Sequence, residues 1–134
     1  MARRRLTFLL DTHALLWAIG DPDRLGHRAR GAISDATNEL VVSAASAWEI
    51  ATKHRLGKLP SARPIISGYS SYITRLGGRE VSMSSRDALL AGDLDWAHRD
   101  PFDRILAAQA LSEGWVLITA DAAFGTLPGL RTLW

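Results

Sequence analysis

Cysteine is absent from this 134-residue chain. That excludes disulfides and thiolate metal sites, so any metal must be held by carboxylates, histidines or waters. No apolar run approaches the roughly 18 residues of a membrane-spanning helix. Neither G-x-G-x-x-G nor G-x-x-x-x-G-K-[ST] follows a strand-like segment, which removes the dinucleotide and P-loop classes of phosphate chemistry. Lysine is scarce, since fourteen of the sixteen basic residues are arginine. That bias suits planar contact with phosphate, but genomic composition produces it equally well. The net charge of +2 does not choose between the two. Linkers, repeats and low-complexity stretches are also missing.

What is present reads as one ordinary globular domain over residues 1–134. Hydrophobic residues make up 47% and charged residues 22%, enough to build a core at this length. The opening "MARRRLTFLLDTHALLWAIG" briefly mimics a secretory leader. Asp11 and His13 interrupt its apolar run, however, and no small-residue cleavage site closes it, so a cytoplasmic protein is expected.

Strand-like and helical segments alternate along the chain. Short apolar strands are expected at Thr7–Leu10, Glu39–Ser43, 80–83 and 115–119, with an edge strand at 130–133. Helices are expected at 12–18, 26–36, a segment capped by Ser43 or Ser46 and closed near Gly57, 64–76, 85–97 and Pro101–Glu113. This alternation predicts an α/β fold, a mainly parallel sheet covered on both faces. Ligand sites in such sheets lie beyond the carboxyl ends of the strands.

Four acids fall at those ends. Asp11 follows the first strand, Glu49 lies early in the helix after the second, Asp121 follows "WVLIT", and Asp103 is in the first turn of Pro101–Glu113. Each also has a purely structural reading. Asp11 and Asp121 fit helix or turn caps, Glu49 fits an i,i+4 pair with Lys53, and "RDPFDR" is a capping sequence with Asp100 at its head. Taken together, four converging carboxylates would repel unless neutralised, and a hard divalent cation with oxygen ligands does that. Such a cation also activates water for phosphoryl displacement.

The blocks "LLDTHALLW", "SAWEIATKHRLGKL", "DPFDRILAAQA" and "LITAD" resemble, in that order, the PIN-domain ribonucleases, and more narrowly the VapC-type toxins of toxin–antitoxin pairs. The resemblance spans essentially the whole chain. It implies a three-layer α/β/α sandwich and a Mg²⁺- or Mn²⁺-dependent endoribonuclease leaving a 3′-hydroxyl and a 5′-phosphate. It also implies inhibition by a cognate antitoxin and a homodimer, with a higher toxin–antitoxin complex as an extension. The acidic quartet of that family falls on Asp11, Glu49, Asp103 and Asp121, all retained. Thr119 matches a supporting hydroxyl two positions before the last acid, and Asp100 is read as a supporting or capping residue. The competing reading is a catalytically silent module of the same fold that binds RNA or a protein.

Other residues carry weaker expectations. His13 and Arg104 are candidate RNA contacts, with Arg104 equally able to clamp a carboxylate. His54 and His98 read as surface residues, and the histidine spacing suggests no zinc site. Residues 3–5 are either a solvated basic start or an RNA backbone contact. Trp17 and Trp48 fit core or interface positions, with base stacking as the alternative.

Overall fold

Period-two burial shapes the sheet. In the computed structural model, which describes residues 5–134, five strands form one parallel sheet. They are β1 (Thr7–Leu10), β2 (Glu39–Ser43), β3 (Gly78–Val81), β4 (Val116–Ile118) and β5 (Thr132–Leu133), in the order β3-β2-β1-β4-β5. Alternate residues feed opposite faces. Phe8, Leu10, Leu40, Val42 and Ile118 enter one core, while Leu9, Val41 and Leu117 enter another.

Seven helices cover those faces: α1 (Thr12–Gly20), α2 (His27–Ser34), α3 (Ala44–Arg55), α4 (Arg63–Ser67), α5 (Tyr69–Arg75), α6 (Ser85–Asp93) and α7 (Pro101–Glu113). The first core takes Ala14 and Leu15 of α1, Ala29 of α2, Ile50 of α3 and Ile73 of α5. The second takes Leu106, Ala107 and Ala110 of α7. Two covered faces make the expected three-layer α/β/α sandwich.

Several boundaries differ from the sequence expectation. The expected helix at 64–76 breaks at Gly68 into α4 and α5. β3 begins two residues early, at Gly78, because only Gly77 (φ 76°) turns the chain after α5. A Cβ on Gly78 would lie 3.1 Å from Ile73 Cγ2, so the glycine lets α5 pack tightly on the strand. α6 ends at Asp93 rather than 97. By contrast, α7 follows its sequence signals, with Asp100 as cap, Pro101 in the first turn and Gly114 (φ 70°) at the end. Among the described residues, no helix is long and apolar enough to cross a membrane.

The strand order reverses between β1 and β4, which pair directly. Open α/β sheets bind ligands at such a reversal, outside the carboxyl ends of the strands. Asp11 and Thr119 are the residues that follow these two strands.

Candidate active site

Asp11 is fixed by three elements at once. Its amide donates to the Ile118 carbonyl at 3.0 Å, continuing the β1–β4 ladder by one residue. Its Oδ1 accepts from the Ala14 amide at 2.7 Å and so caps α1. Its Oδ2 accepts from the Thr119 hydroxyl at 2.5 Å. The residue is only 6% exposed. Burial pushes its carboxyl above the usual range, although the bonds from Thr119 and Ala14 and the charge of His13 oppose this. Capping and site-building are therefore one arrangement here.

Glu49 is buried on α3, which Ser43 caps by accepting from the Ala45 amide. Its Oε1 accepts from the Thr12 hydroxyl at 2.5 Å, and its Oε2 takes the ammonium of Lys53 one helical turn on. Thr12 Oγ1 also lies 3.0 Å from Ser46 Oγ. The i,i+4 pair with Lys53 thus exists, but around a buried carboxylate rather than on a solvated face. Burial lowers the affinity of Lys53 for its proton, and the hydrogen bond and charge of Glu49, with Asp100 and Asp103, more than reverse this.

Asp103 enters from α7. Asp100 caps that helix, its Oδ1 accepting from the amides of Phe102 (2.9 Å) and Asp103 (3.1 Å). The Asp103 carboxylate meets His98 Nε2 at 2.7 Å. Burial raises its pKa to about 6, with the charges of Asp100 and Glu49 adding to the rise and His98 opposing it.

Asp121 lies three residues beyond the end of β4. It is exposed, and its Oδ1 accepts from the Ala123 amide to cap the short turn Ala122–Thr126. Its link to the others runs through Thr119, whose hydroxyl oxygen accepts from the Asp121 amide at 3.0 Å while donating to Asp11. Asp11 feels the charge of Glu49, Asp103 feels those of Asp100 and Glu49, and Lys53 feels Glu49, Asp100 and Asp103. Among the described residues, no three acids or histidines close into a ready-made metal cage. The donor set is nevertheless all oxygen, largely buried and in excess over its one ammonium. That is the chemistry of a hard divalent cation that keeps several waters.

The residues considered for RNA contact fall differently. Arg104 neither clamps a carboxylate nor faces outward: its guanidinium donates to the carbonyls of Ala91, Trp96, His98 and Leu94 at 2.7–2.9 Å and of Gly92 at 3.5 Å. These five bonds use its whole donor complement, which leaves no N–H for a phosphate. His13 is exposed, its ring 5.7 Å from that of Trp17. The two line a groove with Arg24, Leu59 and Ile65. Residues 3 and 4 lie outside the described residues, and Arg5 is exposed. Trp48 is 53% exposed, packed edge-on against Phe102, and is no core residue.

Three contributors escape a reading of the sequence. His98 holds Asp103, Thr12 holds Glu49, and Ser46 stands behind Thr12. A histidine five positions before an acid, across a capping turn, is the only local signal among them.

Comparison with known proteins identifies the family of this fold. Residues 8–130 match the family model of the PIN domain. Ribonuclease VapC22 of Mycobacterium tuberculosis is 34% identical over 116 residues, covering 86% of this chain and 87% of that one. The crystal structure of VapBC2 from Rickettsia felis, bound to a DNA fragment from their promoter, contains a similarly folded chain. Its TM-score is 0.69 at 16% identity, over 96% of this chain and 98% of that chain. A toxin–antitoxin complex from Klebsiella pneumoniae gives a TM-score of 0.60 at 18% identity, over 94% and 95% of the two chains. At such identities the structural likeness speaks for the fold alone. The match over nearly the whole chain and the 34% identical relative settle the family: the chain belongs to the PIN domain family.

Proposed function

We propose that this protein is a Mg²⁺- or Mn²⁺-dependent endoribonuclease, the toxin of a toxin–antitoxin pair. The observation that carries the reading is Asp11, a buried carboxylate at the β1/β4 reversal, held by Thr119 and within electrostatic reach of Glu49. Likeness to a ribonuclease over most of both chains supports the hydrolase assignment. Fold likeness to chains of VapBC and toxin–antitoxin complexes supports an antitoxin as partner, and a homodimer is part of the same proposal.

Asp11, Glu49, Asp103 and Asp121 are the residues that would hold the cation, directly or through water. Its chemistry is activation of a water and neutralisation of the charge on a phosphodiester. Thr119 keeps Asp11 oriented, and Thr12 does the same for Glu49. His98 holds Asp103, and Asp100 fixes the turn on which Asp103 rides. Such supporting bonds set ligand direction and basicity.

A catalytically silent binding module has two observations on its side. Asp11, Asp100 and Asp121 all cap helical turns, and the acids close into no cage among the described residues. Sequencing of RNA 5′ ends after induction of wild type and Asp11→Asn separates the two readings. New 5′-phosphate ends and growth arrest with wild type alone are expected. A folded Asp11→Asn protein that still cleaves would overturn the assignment.

A further inference from the structure

Both carboxylate oxygens of Glu49 are already engaged. Oε1 takes the Thr12 hydroxyl and Oε2 the Lys53 ammonium. The two partners differ in freedom. Thr12 is 3% exposed in the first turn of α1, backed by Ser46. Lys53 ends a flexible four-carbon stem, and its side chain is 27% exposed against 4% for Glu49. From α3 it also lies within electrostatic reach of Asp100 and Asp103 at the start of α7.

We infer that Lys53 is the resident counter-ion of Glu49 within the acidic cluster: it pairs with that carboxylate and gives it up when a divalent cation binds. This rests on the metal-dependent reading above. The physical reason is competition for one oxygen. A buried carboxylate needs a positive partner, and here an ammonium supplies it until a doubly charged ion takes its place. Thr12 stays bonded throughout, so Glu49 keeps its orientation while it changes cation. Lys53 is in this sense a positioning residue, acting through Glu49. It sets the threshold of cation concentration at which the site loads, and it offsets part of the repulsion that Glu49 exerts on its neighbouring acids.

The test uses Lys53→Met, which keeps the apolar stem, and Lys53→Arg, which keeps the charge. Mn²⁺ binding is titrated calorimetrically, and melting is followed with EDTA and with Mn²⁺. Lys53→Met is expected to melt lower without metal and to bind Mn²⁺ about tenfold more tightly, because a competing charge a few ångströms away is gone. Its Mn²⁺-induced rise in melting temperature should exceed that of wild type. Lys53→Arg should stay close to wild type in both. A purely structural role for Lys53 would lower stability without tightening Mn²⁺ binding. Wild type that binds Mn²⁺ alongside a folded Lys53→Met that binds it no better would overturn the inference and leave the metal reading intact. If neither binds Mn²⁺, the metal reading fails and takes the inference with it. Should Lys53→Met not fold, Lys53→Gln, a donor without charge, is read in the same way.

Discussion

Thr119 and Asp11, 108 positions apart, meet at 2.5 Å where β4 and β1 end side by side. The threonine hydroxyl donates to Asp11 Oδ2 and accepts from the Asp121 amide, so a single side chain binds together the ends of two strands. Removing that hydroxyl leaves a buried carboxylate oxygen without its donor. Thr119→Val should therefore cost about 1–3 kcal/mol of stability, measured by urea unfolding. If Asp11 is a ligand, cleavage should fall about 10- to 100-fold. Thr119→Ser should recover most of both. Full activity in Thr119→Val would show that Asp11 does not depend on this bond.

Asp103 gives a pH prediction for the metal-free protein. Its pKa in the fold is about 6, above the ordinary 3.8. The folded state therefore holds a proton that the unfolded state has released between these values. The contribution of this group to stability is fully present below about pH 3.8 and is lost as pH rises through about 6. In EDTA, the difference in stability between wild type and Asp103→Asn should change across pH 4 to 7, with wild type losing ground on the alkaline side. A pH-independent difference would contradict the burial of this carboxylate.

How much of this is legible in the sequence depends on the range of the forces involved. α7 was readable because Asp100, Pro101 and Gly114 are local signals for a helix start and stop. β1 and β2 were readable from short apolar runs. The end of α6 was not, because the carbonyls of Ala91 to His98 are drawn onto Arg104 of a different helix, an attraction that no window of the sequence contains. The role of His98 escapes the sequence for the same reason. Its segment looks like a surface turn until Arg104 pins it beside Asp103. Among the acids, position at the ends of elements was visible. What the sequence could not display was their unequal burial: Asp11 and Glu49 are buried, whereas Asp121 is exposed and bonds to its own turn.

Gly26 supplies a stability prediction away from the site. A Cβ there would lie 2.6 Å from Trp134 Cδ1 and 2.7 Å from the Trp134 backbone carbon. The backbone carbon is not the far end of a flexible side chain, so the terminal residue must shift. Gly26→Ala should destabilise by about 1–3 kcal/mol, the usual cost of forced repacking. It should also loosen the edge-on contact of Trp134 with Trp17, whose ring centroids are 5.6 Å apart. Gly20→Ala, where a Cβ meets nothing within 4 Å, is the control and should leave the melting temperature almost unmoved. Tryptophan fluorescence and thermal melts check both.

Arg104 separates a structural role from a substrate role most sharply. Arginine beside a candidate ligand invites assignment to phosphate, but here the guanidinium is spent on backbone carbonyls from residues 91 to 98. Lysine keeps the charge and loses the planar fork, so Arg104→Lys should release that segment. Leaving several carbonyls without donors should lower stability by about 2 kcal/mol. His98 would lose its anchor, and cleavage should fall through misplacement of Asp103. RNA affinity should keep its dependence on salt, because no phosphate contact has been removed. With Arg104→Gln, which removes the charge, measured on a cleavage-inactive Asp11→Asn background, a salt slope smaller by about one unit would instead mark Arg104 as a phosphate contact. An unchanged melting temperature together with that smaller slope would refute the structural assignment.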